Sequence, residues 1–149
     1  MLRWIDIIKY ATYGNPEPTR RAEKTEQEWR QLLTPEQYEV TRQKGTEKPY
    51  KNAYCRSFEP GRYICVCCGQ LLFNASNQFK ALASGWPSFT QPASKAAIKY
   101  VFDNSHNMKR IEAVCNVCDS HLGHVFNDGP EAPGLRYCVN STSMVKQEV

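Results

Sequence analysis

The sequence predicts a mainly β domain of short antiparallel strands, with short helices ahead of it. Five runs after Pro49, "RYICV", "AIKYVF", "RIEAVC", "LGHVF" and "LRYCV", have strand length and are rich in β-branched and aromatic residues. Clusters of glycine, proline, asparagine and aspartate separate them, as turns and loops require. Upstream, "KTEQEWRQLLTPEQYEVTRQKGTE" carries helix-start signals instead.

Taken in order, "MLRWIDIIKY" is apolar over only a few residues and holds Asp6 and Lys9. It is too short and too charged to cross a membrane, and no small-residue cleavage site follows, so it reads as an amphipathic segment packed on the domain. "GNPEP" then breaks the chain, because two prolines and a glycine cannot continue a helix. Residues 1–23 are expected to be an N-terminal extension and 24–149 the functional domain. Thr25 and Glu28 form a capping box, with Trp29, Leu32 and Leu33 on one helical face. Thr34-Pro35-Glu36-Gln37 is a second box with proline at the first helical position, and Gly45 suits the end of that helix. Both helices read as structural. In "RIEAVC", Ile111, Ala113 and Cys115 share one side; in "GLRYCVNS", Leu135, Tyr137 and Val139 oppose Arg136, Cys138 and Asn140.

The chain has 149 residues, enough for one domain with its own core. Its net charge of +4 is spread out, and the longest basic run is Arg20-Arg21, so neither a nucleic-acid nor a membrane partner is expected. Seven cysteines cannot all pair within the chain, which argues for metal and a reactive thiol in a reducing compartment. The expectation is a cytoplasmic monomer.

Cys65-Val66-Cys67-Cys68 and Cys115-Asn116-Val117-Cys118 supply two pairs with the spacing of metal knuckles. Two such pairs complete a tetrahedral four-thiolate shell, and zinc is its usual occupant. Iron, or a redox dithiol in either pair, are the alternatives. The long interval between the pairs makes the ion a tie between distant strands. Four protein ligands leave no open position, so the metal would hold structure and do no chemistry.

Cys138 has no near cysteine neighbour. Beside Arg136 and Asn140 it forms a polar face around a thiol, and a nearby cation favours the nucleophilic thiolate. A buried structural thiol is the competing reading. "SHLGHVFNDG" holds His121 and His124, which fall on opposite faces of a regular strand and share one only across a bend near Gly123. Either is a candidate proton donor or a hydrogen-bonded structural residue, and His121 is also a possible substitute metal ligand beside Cys118. In "SGWPSF", Trp86 and Phe89 flank a proline turn and are candidates for the wall of a ligand site.

In that order, "EQEWRQLLTPEQYEVTRQKGTE", "YICVCCGQLLF", "SGWPSFTQP", "RIEAVCNVC", "SHLGHVFNDGP" and "GLRYCVNS" resemble the B-type methionine sulfoxide reductases, which act on the R epimer at sulfur. The resemblance implies two antiparallel sheets in a tent- or barrel-like arrangement. It implies Cys138 as the nucleophile, His124 as proton donor to the sulfoxide oxygen, and His121 as a second site histidine. Asn140 would arrange the site. Trp86 would pack on the substrate methyl group, and Glu112 matches an acidic residue of the active-site region; Phe89 and Arg136, from the turn and the strand face read above, complete the expected substrate-binding set. Cys65, Cys68, Cys115 and Cys118 match the family's optional structural zinc site. Many members carry a resolving cysteine just before the Gly-Trp pair. Here that residue is Ser84, which leaves Cys55 as the candidate resolving thiol and Cys67 as the fallback. The implied substrate is methionine-R-sulfoxide, free or in proteins, and the implied reductant a thioredoxin-like dithiol. A non-catalytic zinc-bearing binding module is the rival reading; it would need none of Cys138, His124, Asn140 or Trp86.

Overall fold

The computed structural model describes residues 1–48, 54, 58–80 and 85–148. Among these residues, three α-helices, α1 (Trp4–Tyr13), α2 (Glu26–Leu32) and α3 (Pro35–Arg42), precede nine strands. These are β1 (Arg62–Cys65), β2 (Leu71–Asn74), β3 (Gln78–Phe79), β4 (Ser88–Phe89), β5 (Ile98–Asp103), β6 (Arg110–Cys115), β7 (His121–Phe126), β8 (Arg136–Val139) and β9 (Met144–Gln147). The strands form two antiparallel sheets, as expected: β2-β1-β9 and β3-β4-β8-β7-β6-β5.

Both capping boxes close. The side chains of Thr25 and Thr34 accept from the N–H groups of Glu28 and Gln37, whose own side chains return the contact. Trp29 and Leu33 are buried, but Leu32 is 55% exposed, because α2 ends there and only part of its apolar stripe meets the body. The left-handed residue after α3 is Lys44 (φ 58°), one position before Gly45. The first segment is the helix α1, with Ile7 fully buried, Tyr10 stacked on Tyr100 at 6.0 Å, and Leu2 bonded through both backbone groups to the Gln91 amide.

The two sheets meet through aromatic side chains. Phe89 stacks on Phe73 at 4.4 Å and meets the edge of Tyr63 at 5.2 Å, while Tyr137 meets Phe73 at 5.5 Å. The hydroxyls of these core tyrosines have partners: Tyr63 donates to Gln78, and Tyr100 bonds Tyr137. This packing settles the side to which each residue of β8 points. Leu135, Tyr137 and Val139 go into the core, leaving Arg136 and Cys138 on the outer face of the larger sheet. Along β6 the expected contrast between faces is absent: after Arg110 every residue is buried, Glu112 included, because the outer face is covered as well.

Candidate active site

The outer face of the six-stranded sheet is polar where β5 to β8 run side by side. His124 pairs directly across from Cys138 on one side and from Glu112 on the other. Cross-strand neighbours on one face bring their Cβ atoms to about 5 Å. His121 reaches the same face through a β-bulge: Ala113 pairs with Gly123 but Val114 pairs with His121, so Leu122 is an extra residue in β7. The imidazole centroids are 5.7 Å apart. Gly123 is required beside the bulge, since a Cβ there would lie 1.9 Å from the Cys138 carbonyl oxygen.

Each histidine is held by a carboxylate. His121 Nδ1 is 2.7 Å from Glu112 Oε2, with both side chains almost wholly buried, and Lys44 Nζ approaches the other carboxylate oxygen at 3.4 Å. Burial pushes Glu112 up, but the contacts with His121 and Lys44 outweigh it and hold its carboxyl below the usual range. His124 Nε2 is 2.7 Å from Asp103 Oδ2. Burial lowers the His124 pKa, with the Arg110 and His121 charges adding to it and Asp103 opposing.

Arg136, beside Cys138, makes a bidentate contact with Asp128 at 2.7 and 3.2 Å and lies 4.3 Å above the Phe126 ring. Its pKa is raised by Asp128 first and also by Cys138. By reciprocity, the guanidinium favours the charged form of the Cys138 sulfur. These groups open onto a cavity of about 350 Å³ lined by Cys138, His121, His124, Trp86, Arg136 and Asn140 among others.

Trp86 is tied to the site through the segment after α3. Its indole N–H donates to the Glu47 carbonyl (3.0 Å), and the Glu47 N–H donates to Asn140 Oδ1 (3.1 Å). The Glu47 carboxylate accepts from the Thr142 N–H at 2.7 Å, and the Asn140 amide N–H donates to the Leu122 carbonyl at 3.0 Å. Both ends of the Asn140 amide are therefore engaged within the protein, fastening the indole to the cysteine strand.

Ten of the expected residues fall into two groups on this face and at the knuckles, and Glu112 lies directly behind His121. Phe89 does not join them. It is fully buried on the opposite face of the sheet between Phe73 and Tyr63, because β4 pairs Ser88, not Phe89, beside Cys138 on the outer side. Cys55 and Ser84 lie outside the described residues. Asp103, Arg110, Glu47 and Lys44 also serve this site, and no motif in the sequence marks them. Asp103 and Arg110 terminate their strands and act across neighbours, and Glu47 reaches Trp86 and Asn140 through backbone atoms that any residue has, its carboxylate turning instead to the Thr142 N–H.

At the far end of β6, Cys65, Cys68, Cys115 and Cys118 place their sulfur atoms within 4.8 Å of one another. The Cys65–Cys118 and Cys68–Cys115 separations are both 3.6 Å, close to the edge of about 3.8 Å that a tetrahedron with 2.3 Å metal–sulfur bonds would have. The two turns match: the N–H groups of Gly69 and Asp119 donate to Cys65 and Cys115, and both residues have positive φ. Asp119 tolerates this conformation while paired with Arg21 and Lys99. Side chains of Arg20, Arg21 and Arg42 donate to the Cys68, Asn116 and Cys118 carbonyls, and the Ala22 N–H donates to Val117. Cationic groups thus surround a cluster that is anionic when its thiols are ionised. The donor set and spacing fit a metal ion. Cys67, between two of these residues, is buried.

The SelR domain family matches residues 33–148, which include every described group of the cavity and the cysteine cluster. The chain belongs to the SelR domain family. Among curated relatives, one from Cellvibrio japonicus named peptide methionine sulfoxide reductase MsrB is 57% identical over 78% of this chain and 83% of its own. Relatives of the same name from Chromohalobacter salexigens and Methanosarcina mazei are 54% and 51% identical, over 85% and 83% of this chain and 95% and 88% of theirs. Helices α1 and α2 precede the matched SelR region.

Proposed function

We propose that the protein reduces methionine-R-sulfoxide, free or within proteins, to methionine, with Cys138 as nucleophile. The observation that carries this reading is the cross-strand placement of Cys138 beside His124, in a cavity walled by Trp86 and flanked by Arg136. A sulfoxide sulfur is electrophilic, and its oxygen leaves readily only when protonated. The Cys138 thiolate supplies two electrons to that sulfur while a proton reaches the oxygen from His124. The substrate S–O bond breaks, and the oxygen remains on Cys138 as a sulfenic acid. Trp86 gives the substrate methyl group an apolar surface, and Arg136 stabilises the thiolate. His121, held by Glu112, and Asn140, bonded to Glu47, keep the site in shape.

A second thiol then displaces the oxygen as water and forms a disulfide, which a thioredoxin-like dithiol reduces. Cys55 fills the resolving role, since Ser84 has no thiol and Cys67 is buried among the knuckle residues. Cys65, Cys68, Cys115 and Cys118 hold one structural zinc ion, which supplies cross-linking between the two sheets and no step of the reaction. Residues 1–23 are an extension outside the reductase domain, and the protein acts as a cytoplasmic monomer. No described helix is long and apolar enough to cross a membrane.

The test is turnover of racemic methionine sulfoxide with dithiothreitol, resolved by epimer. Consumption of the R form alone, abolished by Cys138→Ser, is expected. Consumption of neither form by folded, zinc-replete protein would sink the proposal.

A further inference from the structure

Asp103 stands two strands away from His124, yet its Oδ2 lies 2.7 Å from His124 Nε2. The carboxylate is held from three sides. Ser105 donates its backbone N–H to Oδ1 at 2.9 Å, and Arg110, its cross-strand partner, brings Nη2 to 3.5 Å from Oδ2. The two side chains of the pair are 15% and 19% exposed, so water competes weakly for the contact. Burial pushes Asp103 up, but the hydrogen bonds from His124 and Ser105 outweigh it, and its carboxyl sits well below the usual range. An ionised carboxylate has no hydrogen to give. The hydrogen in this contact therefore belongs to His124 Nε2.

We propose that Asp103 is a positioning residue that fixes His124 as the Nε2–H tautomer and dedicates Nδ1 to the proton exchanged with Cys138 and the sulfoxide oxygen. This rests on the reductase reading given above. With Nε2 committed to Asp103, the lone pair of neutral His124 is on Nδ1. The imidazole is surrounded by Asp103 from β5, Arg110 and Glu112 from β6, His121 from β7, and Arg136 and Cys138 from β8. Burial, with Arg110 and His121, keeps it neutral near pH 7, so it accepts rather than carries a proton at rest. The Cys138 proton moves to Nδ1, and the imidazolium is stabilised by the Asp103 carboxylate. As the Cys138 sulfur takes the oxygen, that proton passes from Nδ1 to it. The thiol has become a sulfenic acid, the sulfoxide a thioether, and His124 has returned to its starting tautomer. This is the logic of an acid–base dyad oriented by a third group, here assembled across three strands.

The tautomer can be read without turnover. Nitrogen-15 NMR of the folded full-length chain at pH 8 is expected to find a protonated Nε2 and an unprotonated Nδ1 on His124. In Asp103→Asn, whose amide can turn its N–H toward the ring, the tautomer mixes or inverts. Single-turnover sulfenic acid formation then falls by about 10²- to 10⁴-fold, while the half-saturating sulfoxide concentration changes little. Asp103→Glu, which restores an anionic acceptor, recovers the Nε2–H tautomer and part of the rate. A wild-type His124 protonated on Nδ1, or an Asp103→Asn variant with unchanged tautomer and rate, overturns the assignment. If wild-type protein reduces no sulfoxide, the reductase reading falls and the tautomer comparison alone decides the Asp103–His124 relation.

Discussion

Asn140→Ala removes the clamp that joins the tryptophan wall to the cysteine strand, and the structure allows its effect to be estimated. Asn140 is 4% exposed, and its amide bonds the Glu47 N–H and the Leu122 carbonyl. Leu122 keeps its bond from the Asn140 backbone N–H at 2.9 Å, so that side loses one net hydrogen bond of about 0.5–1.5 kcal/mol. Glu47 is buried and loses the acceptor of its N–H, which costs about 1–3 kcal/mol. The sum is about 1.5–4.5 kcal/mol, or a fall in Tm of roughly 3–18 °C for a chain of this size. Because Glu47 also anchors the Trp86 indole, the half-saturating sulfoxide concentration should rise with the loss of stability. Calorimetry and single-turnover kinetics on the same preparation read both effects. An unchanged Tm with a slowed chemical step would refute this reasoning and make the amide a group that acts on the substrate.

Cys115→Ser should yield metal-free, poorly folded protein, because a structural metal contributes about 10–16 kcal/mol, comparable to the whole stability of a domain; a metal-free preparation with the wild-type Tm would contradict a structural ion. Gly123→Ala should fold poorly or shift β8 away from β7, since the new Cβ would sit 1.9 Å from the Cys138 carbonyl oxygen; wild-type stability and activity together would count against the register described. The His124 pKa is lower in the fold than in the unfolded chain, so the folded state binds fewer protons. Its contribution to stability is full above about pH 6.5 and is lost as pH falls through the folded value. Urea titrations should find a loss between pH 7 and 5 that His124→Gln lacks, and identical slopes in the two proteins would oppose it.

Much of this architecture was legible in the residues, and the exceptions have physical causes. The strands around "RYICV", "AIKYVF", "RIEAVC", "LGHVF" and "LRYCV" stand out because each buries an apolar face. β3 and β4 have two residues each, too short for alternation to register, and β2 follows the first knuckle so closely that it reads as its tail. β9 is an edge strand with Val145 exposed, so its pattern is weak. Both helix starts were readable because capping is local, while the outward turn of Leu32 depends on what the helix meets. The spacing of His121 and His124 left open which face each takes; an extra residue at Leu122 decides it, and a bulge is a property of the strand pair. Phe89 looked like a ligand wall because it follows Trp86 and Pro87, but the register of β4 with β8 turns it into the core. Asp103 is the extreme case: its partner is on another strand with β6 between them, and no spacing in the sequence announces that contact.

The most direct measurement of the central claim is a quenched single turnover of the reduced protein with R-sulfoxide, with no added reductant and a sulfenic-acid trap present, read by peptide mass mapping. One methionine is expected to be released per chain, with Cys138 recovered either trapped as the sulfenic acid or in a disulfide with Cys55. Methionine released with Cys138 still a free thiol, or the oxygen found on another cysteine, would contradict it.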